Sequence, residues 1–322
     1  MELKVKVGVV GVGVMGTYHA QVYAGLPGVR LVGVADPDPF RQIAIEQDLE
    51  VPAFDSPEEL LGRVQAVSIA SPTSLHYEQA RMFLEAGVHV LLEKPMTRTM
   101  QEARELVRLA EKRGVILQVG HIVRFYRAVN DLMSMVKTPW VLEARRLGNN
   151  RRIRDIGVVL DLMIHDLDLV LLLLREKPLR YSVVGRQVEG LDEYAQAVVD
   201  FPSGARALFT ASRISPQVER SLTITQPGEV LRLDFNSEYT ELSLHRSPPM
   251  QPSSEQAEPN GRTQVQTERI AIHNDNPLRR QLKHFVDRIQ KGEPSLATLE
   301  DDLQALELAL ELSSTLQSVM NR

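Results

Sequence analysis

Asp161, His165 and Asp168 interrupt one of the most apolar stretches of this 322-residue chain, Val158 to Leu174. At i, i+4 and i+7 they share one face of a helix. Imidazole titrates near neutrality, and a carboxylate one turn away can orient it, so the trio suits general-base chemistry. The structural alternative is a buried, mutually satisfied Asp–His pair. A histidine with two carboxylates also resembles part of a metal-ligand set. No second histidine stands nearby at ligand spacing, so no metal is expected.

Two further sets follow short apolar runs. Ser71-Pro72-Thr73 with His76 comes after Ala66–Ala70, and Glu93-Lys94-Pro95 after Val88–Leu92. If those runs are parallel strands, both sets lie at carboxyl ends, where doubly wound sheets bind ligands. A lysine ammonium there can hydrogen-bond a reacting oxygen and favour its alkoxide-like form. A solvated surface lysine is the plain alternative. Between Arg145 and Arg154 stand five arginines, in a chain whose net charge is -5. They suit an anionic group such as a carboxylate or diphosphate, or else form a solvated basic loop. Arg124, Tyr126, Asn149, Arg152 and Arg154, with His165, are the candidate substrate-binding residues.

What must position these groups begins at the N-terminal end. The run Val5–Val10 breaks into Gly11-Val12-Gly13-Val14-Met15-Gly16, with Asp36 closing the next run, Leu31–Ala35. Gly11 permits a tight turn, Gly13 lets backbone approach a pyrophosphate, and Gly16 lets the next helix sit close to the sheet with its N-terminus toward phosphates. Val14 and Met15 complete the turn. Asp36 can take both hydroxyls of an adenosine ribose. Neither Pro37 nor Asp38 offers a positive charge to a 2′-phosphate, so the expected cofactor is NAD rather than NADP. Ser71, Pro72, Thr73, His76, Glu93 and Lys94 join this set as cofactor-binding candidates.

Apolar runs alternate with helical patterns up to residue 121, continuing through Val88–Leu92 and Val115–Val119, which implies a doubly wound parallel sheet. Thr99 with Glu102 forms a capping box, and Gly114 stops that helix after Arg113. Beyond residue 121 the rhythm changes. Helical segments at 125–137 and 158–174 accompany strand-like stretches at 140–146, 180–184, 194–201, 205–212, 221–225, 230–235 and 239–244. Pro202-Ser203-Gly204 and Gln226-Pro227-Gly228 read as hairpin turns. The expectation is an NAD-binding Rossmann domain over 1–121. An α+β domain with a largely antiparallel sheet follows over 122–322. Residues 247–264 read as a mobile surface loop. Pro277–Gln290 reads as a helix, and the C-terminal helix, 295–320, carries an apolar stripe that should pack back on the body.

Composition narrows the function. No cysteine is present, which removes disulfides, thiolate metal sites and cysteine nucleophiles. The slightly acidic balance gives no reason to expect nucleic acid or membrane partners. The Leu169–Leu174 run is far short of the ~20 residues that span a bilayer, and the start lacks a signal-peptide layout, so a cytoplasmic location is expected.

In this order the motifs resemble the glucose–fructose oxidoreductase / inositol dehydrogenase (Gfo/Idh/MocA) family. The glycine turn, Ser71-Pro72-Thr73 with His76, Glu93-Lys94-Pro95, Gly120 with Arg124-Phe125, and Gly157 leading to Asp161, His165 and Asp168 carry the likeness. The resemblance implies pyridine-nucleotide-dependent oxidation of a sugar hydroxyl, with Lys94, Asp161 and His165 as the catalytic group. It also implies that 122–322 is a substrate-binding and oligomerisation domain with an open, mostly antiparallel mixed sheet, through which a homodimer or homotetramer is built. Residues 151–169 look most like members that act on nucleotide-linked amino sugars, which points to the 3-hydroxyl of a UDP-linked N-acetylhexosamine. A polyol or inositol dehydrogenase is the alternative within the class. A non-catalytic NAD(H)-binding regulator is the alternative outside it, because fold does not fix function.

Overall fold

Alternation of short valine-rich runs with amphipathic helices builds the first half of the molecule. The computed structural model describes residues 4–149, 155–236, 240–246, 266–274 and 276–320. The chain divides into two compact units, Met1–Phe125 with Asn276–Leu310 and Tyr126–Asp275 with Glu311–Arg322.

In the first unit the strands are β1 (Val5–Val10), β2 (Val29–Ala35), β3 (Ala53–Phe54), β4 (Ala66–Ile69), β5 (His89–Leu92) and β6 (Leu117–Val119). They form one sheet in the order β3-β2-β1-β4-β5-β6, parallel throughout. Helices α1 (Val14–Ala24), α2 (Pro39–Leu49), α3 (Thr73–Glu85) and α4 (Met100–Arg113) make the crossovers. The strand order reverses where β1 lies between β2 and β4, and ligands of such sheets bind in the crevice beyond the strand ends at that point. The expected capping box is present: Thr99 accepts from the Glu102 N–H, Glu102 accepts from the Thr99 N–H, and Gly114 closes α4 at φ 66°.

Val7, Val9, Ala20, Tyr23 and Val34 are fully buried in the core of this unit. Leu278, Leu282, Phe285 and Val286 join them from a late helix of the chain. That helix begins at Pro277 behind Asn276, whose side chain accepts the Arg279 N–H, and Gly292 ends it in the left-handed region.

The second unit holds α5 (Arg127–Met135), β7 (Val141–Leu147) and α6 (Ile164–Leu174), then β8 (Arg180–Val188), β9 (Leu191–Asp200), β10 (Arg206–Ser212), β11 (Glu219–Gln226), β12 (Glu229–Asp234), β13 (Thr240–Arg246) and β14 (Gln266–His273). These strands make one eight-stranded sheet, β14-β13-β12-β11-β7-β10-β9-β8, antiparallel except where β10 runs parallel to β7. Hairpin turns stand at Gly204 and Gly228, both at positive φ. The late helix of the first unit is α7 (Pro277–Lys291), and α8 (Leu299–Met320) follows it. Leu312 and Leu316 of α8 are buried, and a Cβ on Gly185 of β8 would lie 2.9 Å from Leu316. No helix among the described residues is long and apolar enough to cross a membrane.

Three elements differ from the sequence reading, the shortest being β3, two residues at the edge of the first sheet. β14 was unforeseen, since Gln266-Thr-Glu-Arg is polar on both faces; it is an edge strand, and those four residues are exposed. The helix expected from Val158 begins instead as a π-helical turn, Val159–Met163, which becomes regular only at Ile164. A π turn changes which residues stack, and such turns gather at functional sites. The 247–264 stretch lies outside the described residues.

Candidate active site

In the first unit the glycine turn is built as its spacing requires. Gly11 sits at φ 78°, and a Cβ there would be 2.7 Å from the Ser71 nitrogen. A Cβ on Gly16 would reach 1.7 Å from the Gly11 carbonyl oxygen, so only glycine lets α1 come this close. Gly13 is open: a Cβ there would come no nearer than 3.9 Å, to the Arg41 guanidinium. The N-terminal end of α1, with Val14 and Met15 in its first turn, has no side-chain cap. A backbone cradle and free helix N–H groups suit a diphosphate.

Asp36 closes β2 almost fully buried. One carboxylate oxygen accepts the Val12 N–H at 2.8 Å, and the other accepts the Asp38 N–H at 3.0 Å. Neither of the residues next along the chain, Pro37 and Asp38, brings Asp36 a positive charge. One turn into α2, Arg41 brings its guanidinium to 3.5 Å from Asp36 and 3.3 Å from Asp38. A cation therefore stands at the ribose end of the cradle, and the chain as a string did not reveal it.

The strand-end groups are pinned by backbone contacts. His76 bridges the Ser71 carbonyl at 3.0 Å and the Pro95 carbonyl at 2.9 Å, tying the loop after β4 to the one after β5. The Ser71 hydroxyl donates to Gln79, Pro72 precedes α3, and Thr73 opens it in a buried position. Glu93 is buried, Lys94 is half-buried, and the Lys94–Pro95 peptide is cis. Arg124 is buried and paired with Asp302 at 2.7 Å, a partner nearly 180 residues away that no local signal indicates.

In the second unit Asp161 lies in the π turn, and His165 begins the regular helix, both buried. The unforeseen residue here is Arg213, just past the end of β10 and almost wholly buried. Its guanidinium meets Asp161 at 3.3 Å, both Glu193 oxygens at 3.0 and 3.2 Å, and the Ile156 carbonyl at 3.0 Å. Asp161 is thus oriented by a fixed fork. The backbone enters this turn past Gly157, where a Cβ would lie 3.0 Å from Asp192. Burial pushes the Asp192 carboxyl up, against the pull of the Gln187 hydrogen bond and the Arg213 charge.

Asp166 is a further unforeseen partner. It holds Arg146 through two hydrogen bonds, 2.7 and 3.1 Å. Arg145 pairs with Glu219 at 2.8 Å. Two arginines of the basic run therefore have acidic partners inside the unit. Tyr126 stacks edge-on against Phe235 at 5.2 Å, and Asn149 is exposed. Arg152 and Arg154 lie outside the described residues.

These features define a Rossmann-type nucleotide-binding unit joined in one chain to an α+β unit that buries His165 and an Asp161 held by Arg213. Residues 5–121 match the family of oxidoreductases with an NAD-binding Rossmann fold, and residues 101–226 match the Gfo/Idh/MocA C-terminal domain. The chain belongs to the Gfo/Idh/MocA family and is a nicotinamide-dependent oxidoreductase. It is 32% identical to the UDP-N-acetylglucosamine 3-dehydrogenase of Acidithiobacillus ferrooxidans, over 99% of this chain and 100% of that protein. A solved structure of that dehydrogenase matches with a TM-score of 0.87 at 31% identity, covering 98% of this chain and 99% of that one. The scyllo-inositol 2-dehydrogenase of Bacillus subtilis is 29% identical over 67% of this chain and 69% of its own length. The apo scyllo-inositol dehydrogenase of Lactobacillus casei has the same fold, with a TM-score of 0.80 at 18% identity and coverage of 99% and 98%.

Proposed function

We propose that this protein is an NAD-dependent dehydrogenase that oxidises a sugar hydroxyl to a ketone, specifically the 3-hydroxyl of a UDP-linked N-acetylhexosamine. The observation that carries the reading is the end-to-end match to a UDP-N-acetylglucosamine 3-dehydrogenase. Preference for NAD rests on Asp36, whose buried carboxylate suits ribose hydroxyls and opposes a 2′-phosphate.

Gly11, Gly13, Gly16 and the N-terminus of α1 would hold the cofactor's diphosphate, and Asp36 its ribose. The nicotinamide, when bound, supplies the hydride acceptor. His165 takes the hydroxyl proton, and Asp161 orients the ring and stabilises the imidazolium. Arg213 meets Asp161 at 3.3 Å, which helps hold the carboxylate in place. Lys94 hydrogen-bonds the reacting oxygen and favours its alkoxide-like form. The assembly is a homodimer or homotetramer.

A polyol dehydrogenase is the second reading, and a specific observation favours it. Arg145 and Arg146 are already paired with Glu219 and Asp166, so the basic run has less charge to offer a diphosphate. NADH formation with UDP-N-acetylglucosamine, UDP-N-acetylglucosaminuronic acid, UDP-glucose, myo-inositol and glucose separates the two, run with a ketone trap. Turnover confined to UDP-sugars is the expected result. Turnover on inositol or glucose would overturn the nucleotide-sugar assignment. Cofactor binding with no turnover would favour a regulator.

A further inference from the structure

Within the first unit, residues of β6, of α7 and of the chain leading into α8 line a cavity of about 140 Å³ that the proposed chemistry does not use. β6 is the last strand of its sheet, so the side turned away from β5 has no strand partner. The polar lining is Gln118 of β6, Arg124, Arg288 of α7, Ser295, Thr298 and Asp302. Ser295 and Thr298 are exposed, so the cavity is reached from solvent.

Two of the three charges offset each other, because Asp302 is paired with Arg124 at 2.7 Å and both are buried. Arg288 stands apart. Its hydrogen bond runs from Nη1 to Gln118 Oε1 at 3.1 Å, and among the described residues no carboxylate lies within ion-pair distance of it. Burial weakens the hold of this guanidinium on its proton, and the charge of Asp302 opposes that from further off. A guanidinium keeps its charge in proteins and has five N–H donors to satisfy. The neighbouring His89 adds no second charge: burial, then the charge of Arg288, pulls its imidazole down, and its Nδ1 accepts the Ile116 N–H at 2.9 Å.

Gln118 points the same way. Its Oε1 takes the Arg288 N–H, which fixes the amide with Nε2 as the group left over. That NH₂ is buried without a hydrogen-bond partner among the described residues, on a side chain from a residue only 6% exposed. A buried donor left unpaired is costly and calls for an acceptor. Water would satisfy the amide but not the charge beside it; an anion satisfies both.

We propose that this cavity binds a small oxyanion, a carboxylate or phosphate group, held by Arg288 and the Gln118 amide with the Ser295 hydroxyl at its mouth. Thr298 is committed to the cap of α8, where its hydroxyl donates to the Asp301 carboxylate and accepts the Asp301 N–H. The volume sets the size of the ligand. Pockets for drug-sized molecules run to roughly 300–1,000 Å³, so this one admits an ion or the acid end of a small molecule and excludes a nucleotide.

The test is a set of melting curves of the full chain across a sodium phosphate series and across a sodium acetate series. Chloride holds the ionic strength constant, and excess NADH keeps the glycine turn occupied, since that turn also suits oxyanions. Wild type should show a saturable rise in Tm with at least one of the two, and the tighter one names the group. Arg288→Gln should raise the apparent Kd about tenfold or more, through loss of a charged donor. Ser295→Asp, at an exposed position that the fold does not depend on, should raise it several-fold, by an amount that shrinks in high salt. It carries the test if Arg288→Gln does not fold. No saturable rise with either anion, or a rise that is the same in wild type and in the variants, would overturn the inference.

Discussion

The two units solve the same problem, placing polar groups where few could be tolerated, in opposite ways. Around its nucleotide cradle, the buried Arg124–Asp302 pair apart, the first unit relies on backbone. Its glycine turn leaves peptide groups open, and His76 meets the carbonyls of Ser71 and Pro95. The second relies on buried charge. Arg213 joins Asp161 and Glu193, and Arg146 joins Asp166, around a helix that is apolar apart from these aspartates, His165 and Asp168. Backbone scaffolds depend on local residue types at fixed spacing. Charge scaffolds depend on partners brought from distant strands, and they fail when one partner is lost.

This contrast sets the scale of each perturbation. Arg213→Ala should be the most damaging, because it removes the buried guanidinium that joins the buried carboxylates of Glu193 and Asp161; a loss of ~3–5 kcal/mol is expected by denaturant unfolding. A variant as stable as wild type would show that this network is not structural. His165→Ala should leave the fold intact and lower kcat by about 10²–10⁴-fold, the range for a general base. Full turnover in that variant would end its assignment as the base. In the first unit, Asp36→Ala should raise the KM for NAD by roughly 10-fold or more, through lost hydrogen bonds to a charged acceptor. Arg41→Ala should be milder. The guanidinium is half exposed, so the NAD KM should move by only about 2-fold, the scale of an exposed ion pair, while any residual use of NADP falls further. An unchanged ratio of the two cofactors would mean that Arg41 serves only to satisfy Asp36 and Asp38.

The smallest expected effect is a pH dependence in the first unit. The folded-state carboxyl of Glu93 titrates below its ordinary 4.5. Its contribution to stability is therefore present above that pH and is lost as the pH falls through the folded-state value. Melting curves of wild type and Glu93→Gln should converge in acid and separate toward neutrality. A gap that does not depend on pH would assign the difference to packing.

Part of this protein was legible as a string because the physics there is local. Gly11, Gly13 and Gly16, the alternation of strand and helix, the Thr99–Glu102 box and the Gly114 stop all act over a few residues, and each stands where its spacing places it. Even in the second unit, alternating burial along β10 and β12 follows the period of two expected of a sheet with one covered face.

Only the tertiary structure decided the remainder. It turned the start of the Val158 segment into a π turn, so helical spacing alone did not identify the partners of Asp161. It gave Asp161 the guanidinium of Arg213, gave Asp166 that of Arg146, and set Arg41 against Asp36. It also committed the apolar face of α7 to the core of the first unit, although nothing local to Pro277–Lys291 says which body that face covers. The reason is common to all of these. Periodicity and capping are properties of neighbours along the chain, whereas a buried charge is satisfied by whichever element the fold carries to it.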